Sequence, residues 1–87
     1  MPLYLVERNE ANITLEALVT AQRAAMEMSR RFTVEGKPAR YIRTTLVRSE
    51  SHCLTLFEAL NAKVVQEVNE AAQIPFTRII EALELTP

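Results

Sequence analysis

Apolar and polar positions along the chain follow two periods that alternate. Leu3 to Glu7 (LYLVE) repeats every second residue and predicts a short strand, with Leu3 and Leu5 on one face and Tyr4 and Val6 on the other. From Leu15 to about Arg31 the period becomes helical. Leu15, Leu18, Val19, Gln22, Ala25, Met26 and Ser29 form the expected buried stripe, and Glu16, Thr20, Arg23, Glu27 and Arg30 lie largely opposite. Thr14 stands where an N-cap belongs, and Arg30 and Arg31 place positive charge at the carboxyl end.

Glu35-Gly36-Lys37-Pro38 interrupts the pattern with the chain's only glycine. Ala39 to Leu60 (ARYIRTTLVRSESHCLTLFEAL) then reads as two strands joined by a turn at Ser49 to Ser51, an antiparallel hairpin. Strict alternation puts Arg40, Ile42, Thr44 and Leu46 on one face of the first strand, and Tyr41, Arg43, Thr45 and Val47 on the other. The second strand sorts His52, Leu54, Leu56 and Glu58 from Cys53, Thr55, Phe57 and Ala59. Asn61 is placed to cap a second helix carrying Val64, Val65, Val68, Ala71 and Ala72 on one side, and Pro75 ends it. Thr77 to Leu85 closes the series as a strand, with Ile79, Glu81, Leu83 and Leu85 alternating against Arg78, Ile80, Ala82 and Glu84.

Strand, helix, strand, strand, helix, strand is the order of two β-α-β units with right-handed crossovers. It predicts an α+β ferredoxin-like domain spanning residues 1–87, with a four-stranded antiparallel sheet and both helices on one face. The uncovered face of such a sheet would carry Leu, Ile, Val and aromatic residues, an apolar patch too large to leave wet. A homodimer of the dimeric α/β-barrel type is therefore expected, with a ligand pocket between the copies as a compatible arrangement. Chain length points the same way. Eighty-seven residues bury a thin core, and a single cysteine, Cys53, cannot supply a disulfide.

Ten basic and eleven acidic residues leave a formal net charge of −1, without the basic stripe of a nucleic-acid protein. The opening MPLYLVERNE lacks a basic segment followed by an apolar one, and no run is long enough to span a membrane. A lone cysteine and no leader lead us to expect a cytoplasmic protein.

Charged residues embedded in strand patterns need partners or water, which singles out Glu7, Arg43, Glu58 and Glu81. They suit an exposed rim, an interface ion pair, or a ligand or metal site; a catalytic carboxylate pair would need a separation that no spacing here imposes. Tyr41 and Phe57 either line a small-molecule pocket beside Arg43, which would favour an anionic or carbonyl-bearing ligand, or pack a core or interface. His52 and Cys53 are adjacent, so on a strand they face opposite ways and cannot share an ion or form a nucleophilic pair. Cys53 reads as a small buried hydrophobe. His52 is either an exposed residue beside the turn or a metal ligand completed by Glu58 or by a second copy.

MPLYLVER, RYIRTTLV, the CLTLFEA segment and AAQIPFTRIIEA together resemble the DUF4242 family of small ferredoxin-like, commonly dimeric proteins, some described as nickel-binding. The resemblance spans nearly the whole chain. It matches Glu7 to a family glutamate, Cys53 to a hairpin cysteine, Glu58 to a second glutamate, and Pro75, Arg78 and Glu81 to a terminal pattern. Phe57 stands in place of a tyrosine, Val68 in place of a histidine, and Gln73 in place of a glycine. The resemblance implies nickel or another divalent metal as the cofactor to test. Ligand or metal binding by a homodimer is the leading functional expectation. The alternatives are a cofactor-independent monooxygenase or isomerase built on the dimeric barrel, and a purely structural interaction module.

Overall fold

Both helices begin on a side-chain cap and end on a left-handed residue. A computed structural model describes residues 1–87, with strand β1 at Leu3–Asn9, helix α1 at Leu15–Val34, β2 at Ala39–Val47, β3 at His52–Ala59, α2 at Ala62–Ala71 and β4 at Arg78–Ala82. Thr14 Oγ1 accepts from the Ala17 amide at 3.0 Å, and Asn61 Oδ1 from the Val64 amide at 2.9 Å, as their positions predicted. After α1, Gly36 adopts φ 87°, and the Gly36 and Lys37 amides return to the carbonyls of Thr33 and Phe32. This double closure is a Schellman turn, which favours glycine because its left-handed residue has no Cβ to clash. α2 ends in the same way, with Gln73 at φ 59° and the Gln73 and Ile74 amides bonded to the carbonyls of Glu70 and Asn69.

The strands form one antiparallel sheet in the order β2-β3-β1-β4, with α1 packed over β2 and α2 over β3 and β4. This is the expected ferredoxin-like arrangement. Tyr4, Val6, Ala39, Phe57 and Ala59 of the sheet meet Ala25 of α1 and Val64, Val65 and Val68 of α2 in the buried core. Phe57 is 0% exposed at its centre.

Five elements depart from the expected pattern. α1 runs to Val34, and its inward stripe is rotated. Ala25 and Ser29 are buried as expected, but Leu15 is 65% exposed and Val19 and Met26 also face outward, while Met28 and Phe32 pack against the core. The small residues Ala25 and Ser29 are the buried ones of α1, with Met28 and Phe32 flanking them inward. β1 continues to Asn9 because β3 supplies partners as far as His52. The hairpin turn is a 3₁₀ turn at Arg48–Glu50, closed by Ser51 in the left-handed region. β4 stops at Ala82 rather than Leu85, since its only neighbour, β1, begins with Leu3 opposite that residue.

The most consequential departure is in β2. Tyr41 opposes Phe57 and Arg43 opposes Leu56, so Ile42 is an extra residue with no partner, a β-bulge. Alternation changes phase there. Ala39 and Tyr41 face the helices before the bulge and Thr44 and Leu46 after it, whereas Arg40, Arg43, Thr45 and Val47 face away. The predicted grouping of Tyr41 with Arg43 is thereby overturned. The faces predicted for β3 stand.

Candidate functional site

The sheet face turned away from the helices carries Leu3 and Leu5, Leu54 and Leu56, Ile80 and Ala82, with Val47 at its margin. Charged pairs bracket these apolar side chains. At one end Arg40 Nε meets Glu58 Oε1 at 3.3 Å. At the other, Arg78 grips the Glu7 carboxylate with two hydrogen bonds, Nε to Oε2 at 2.7 Å and Nη2 to Oε1 at 3.0 Å. The fork geometry matches guanidinium to carboxylate. The bonds from Arg78, with its charge and that of nearby His52, hold the Glu7 carboxyl below its ordinary value of 4.5 against the opposing effect of burial. The same contact raises the guanidinium of Arg78.

His52 lies beyond Glu7 on the same face, opposite Asn9. Its Nδ1 contacts the Asn9 amide oxygen. An amide oxygen only accepts, so Nδ1 donates in this contact, and the lone pair of the neutral ring then lies on Nε2. A histidine oriented through one nitrogen in this way is prepared to ligate through the other.

The expected site residues divide into three groups. Glu7, Arg43, Glu58 and His52 share the open face, but each charged one is engaged: Glu7 with Arg78, Glu58 with Arg40, and Arg43 with Glu84. Tyr41 and Phe57 do not join them. They lie on the helix side, edge to face with ring centres 5.7 Å apart, and the Tyr41 hydroxyl bonds that of Thr44 at 2.6 Å. Side chains enclosed there cannot line a pocket on the open face. Glu81 opposes Tyr4, so it too projects on the helix side, at the exposed sheet edge.

The paired metal assignment of His52 and Glu58 also requires correction within one chain. The two residues occupy opposite ends of β3, six positions apart, which at the rise of a strand is about 20 Å. No three histidine, cysteine, aspartate or glutamate side chains converge anywhere. Cys53 is buried on the helix side, and burial pushes its thiol above the ordinary value of 9.0. The donors of a single chain therefore do not make a closed metal site; His52 has a free nitrogen but no second ligand beside it except Glu7, which Arg78 already holds.

Periodicity alone missed Asn9 and Arg78 as the partners that orient His52 and Glu7. Asn9 was visible in principle, since alternation from Leu3 carries it to the face of Glu7 once β1 is extended. Arg78 required the β1–β4 register. Between α1 and the sheet there is also a cavity of about 20 Å³, bordered by Arg8, Gln22, Tyr41, Thr44, Cys53 and Asn69. Such a volume holds roughly one water molecule. No helix is long and apolar enough to cross a membrane.

None of the curated proteins compared with this chain matches it. Among solved structures, the crystal structure of SCO4226 from Streptomyces coelicolor A3(2) is similar in fold, with a TM-score of 0.81 at 18% identity over 97% of this chain and 99% of that one. A sequence profile for the family described as nickel responsive protein SCO4226-like matches residues 4–82. The chain belongs to the nickel-responsive, SCO4226-like family.

Proposed function

We propose that the protein is a cytoplasmic homodimer that binds a divalent metal, nickel foremost, through His52 at the margin of a sheet face shared by two copies. The observation that carries this reading is the His52–Asn9 contact, which fixes the imidazole and leaves Nε2 free on the open face. Membership of a nickel-responsive family selects the metal. The apolar face between the Arg40–Glu58 and Glu7–Arg78 pairs supports association of two copies, because Leu3, Leu5, Leu54 and Ile80 are half-buried there and gain by leaving water, although Leu56 among them is already buried. A second copy supplies the ligands that one chain lacks, since imidazole suits nickel and carboxylates or water complete its coordination.

Isothermal titration with nickel, zinc and copper, on the native chain and on His52→Ala, tests this reading. Saturable nickel binding that His52→Ala abolishes is the expected result. Equal nickel binding by both proteins would remove His52 from the site, and no binding by either would reject the metal-binding reading. The enzyme alternative requires an enclosed space between copies, because within one chain the cavity beneath α1 holds only about 20 Å³ and the larger hollows, of about 320 to 450 Å³, are open grooves.

A further inference from the structure

Glu84 contacts Arg43, although the two belong to opposite sides of the sheet. β4 and β2 are its outer strands, separated by β1 and β3. Three strand spacings make roughly 14 Å. Arg43 opposes Leu56, which is level with Leu5 and Ile80, so a β4 continued straight would carry Glu84 about a further 13 Å along the strand direction. Two side chains cannot bridge that diagonal. The segment after Ala82 must therefore turn and cross the open face towards β2, held there by the ion pair.

The crossing segment keeps the alternation of a strand, Leu83-Glu84-Leu85, but has no strand beside it. Its carboxylate is turned inward to Arg43 and its leucines outward: Leu83 is 84% exposed and Leu85 90%. The ordinary arrangement would bury the leucines and leave the glutamate wet. Here the charge tethers the segment to its own sheet, and two large apolar side chains are presented above a face that already carries Leu3, Leu5, Leu54 and Ile80.

We propose that residues 83–87 form a contact arm for a second copy of this chain, with Leu83 and Leu85 packing onto the partner's open sheet face while the Arg43–Glu84 pair sets the arm's course. This deepens the homodimer reading and rests on it. A second copy fits better than a different partner because the arm lies across the same apolar face that the dimer would bury, so two-fold packing places each arm against the face of the other chain. Nearly complete exposure in one chain means that burial in the pair gains close to the full transfer free energy of each leucine.

Sedimentation equilibrium and denaturant unfolding of the native chain, the double variant Leu83→Ser/Leu85→Ser, and Arg43→Gln test the arm. The double variant is expected to raise the dimer dissociation constant by at least about a hundredfold. Below that constant, where native and variant chains are both monomeric, the urea midpoint should be the same. Arg43→Gln should weaken association less, by loosening the arm without removing its leucines. A native chain that dimerises as tightly as the double variant would overturn the arm and leave the homodimer standing. If the double variant lowers the midpoint of the monomer without altering association, the segment covers only its own sheet and the proposal fails. A native chain that remains monomeric at micromolar concentration overturns the homodimer and the arm together.

Discussion

Tyr41 and Arg43 stand two positions apart on one strand yet face opposite sides of the sheet, because Ile42 bulges between them. The bulge lets one strand contribute Tyr41 and Ala39 to the core at its beginning, Thr44 and Leu46 to the helix side at its end, and two arginines to the open face. Were Ile42 paired in unbroken alternation instead of bulged, the second half of β2 would send Leu46 outward.

This phase change yields a paired prediction. Deleting Ile42 leaves Tyr41 opposite Phe57 and Arg43 opposite Leu56, so the shortened chain is expected to fold with every other side chain on its present face. Deleting Thr44 instead shifts Leu46 to the open face and Thr45 to the helix side. Loss of that leucine from its site makes the second deletion more destabilising by roughly 2 kcal/mol, which urea unfolding will measure. Equal midpoints would contradict the assigned bulge.

Gln73 occupies the left-handed position that closes α2, at φ 59°. Its Cβ is disfavoured in that region by roughly 1 kcal/mol relative to glycine, while glycine costs extra chain entropy when it is ordered. Gln73→Gly is expected to raise stability by about 0.5 kcal/mol, seen as a higher urea midpoint with unchanged slope. A lower midpoint would mean that the glutamine side chain contributes more than its backbone strain.

Glu7 ties the fold to acid pH. Its carboxyl ionises more readily in the folded chain than at the ordinary value of 4.5, through the two bonds from Arg78. A lowered folded value means that the contribution is complete above pH 4.5 and is lost as pH falls through the folded value. Glu7→Gln should therefore be less stable than the native chain at neutral pH and should lose less stability on acidification below that point. Parallel stability curves for the two proteins across this range would refute the link.

Cys53 is buried and its thiol is pushed above 9.0, so little thiolate forms at mildly alkaline pH and less still reaches solvent. A thiol-reactive chromophore at about pH 8 is expected to label the folded protein at least about a hundredfold more slowly than the urea-unfolded chain. Comparable rates would place the thiol on the surface.

Much of the architecture was legible in the chain before any coordinates. Thr14 and Asn61 mark helix starts because a side-chain oxygen one turn ahead of free amides is a local arrangement, and Gly36 marks a helix end for an equally local reason. The strand faces of β1 and β3 followed from a period of two, which persists where pairing is regular. The candidate site was less legible. Glu7, Glu58, Arg43 and His52 could be recognised as charged or titratable residues within strands, but their partners come from chain positions distant in sequence: Arg78 from β4, Arg40 across the hairpin, and Glu84 from the segment beyond the sheet.

Sequence by itself determined the order of elements, their caps, the two alternating sets of side chains on β1 and on β3, and the balance of charge, since each depends on near neighbours or on composition. Tertiary structure alone decided that α1 turns Met28 and Phe32 inward and Leu15, Val19 and Met26 outward, that Ile42 reverses the phase of β2, and that Glu84 comes back to Arg43 on the far edge strand. A helix's rotation, a bulge and a tail's course are each set by the surface they meet. That surface exists only once the strands have paired.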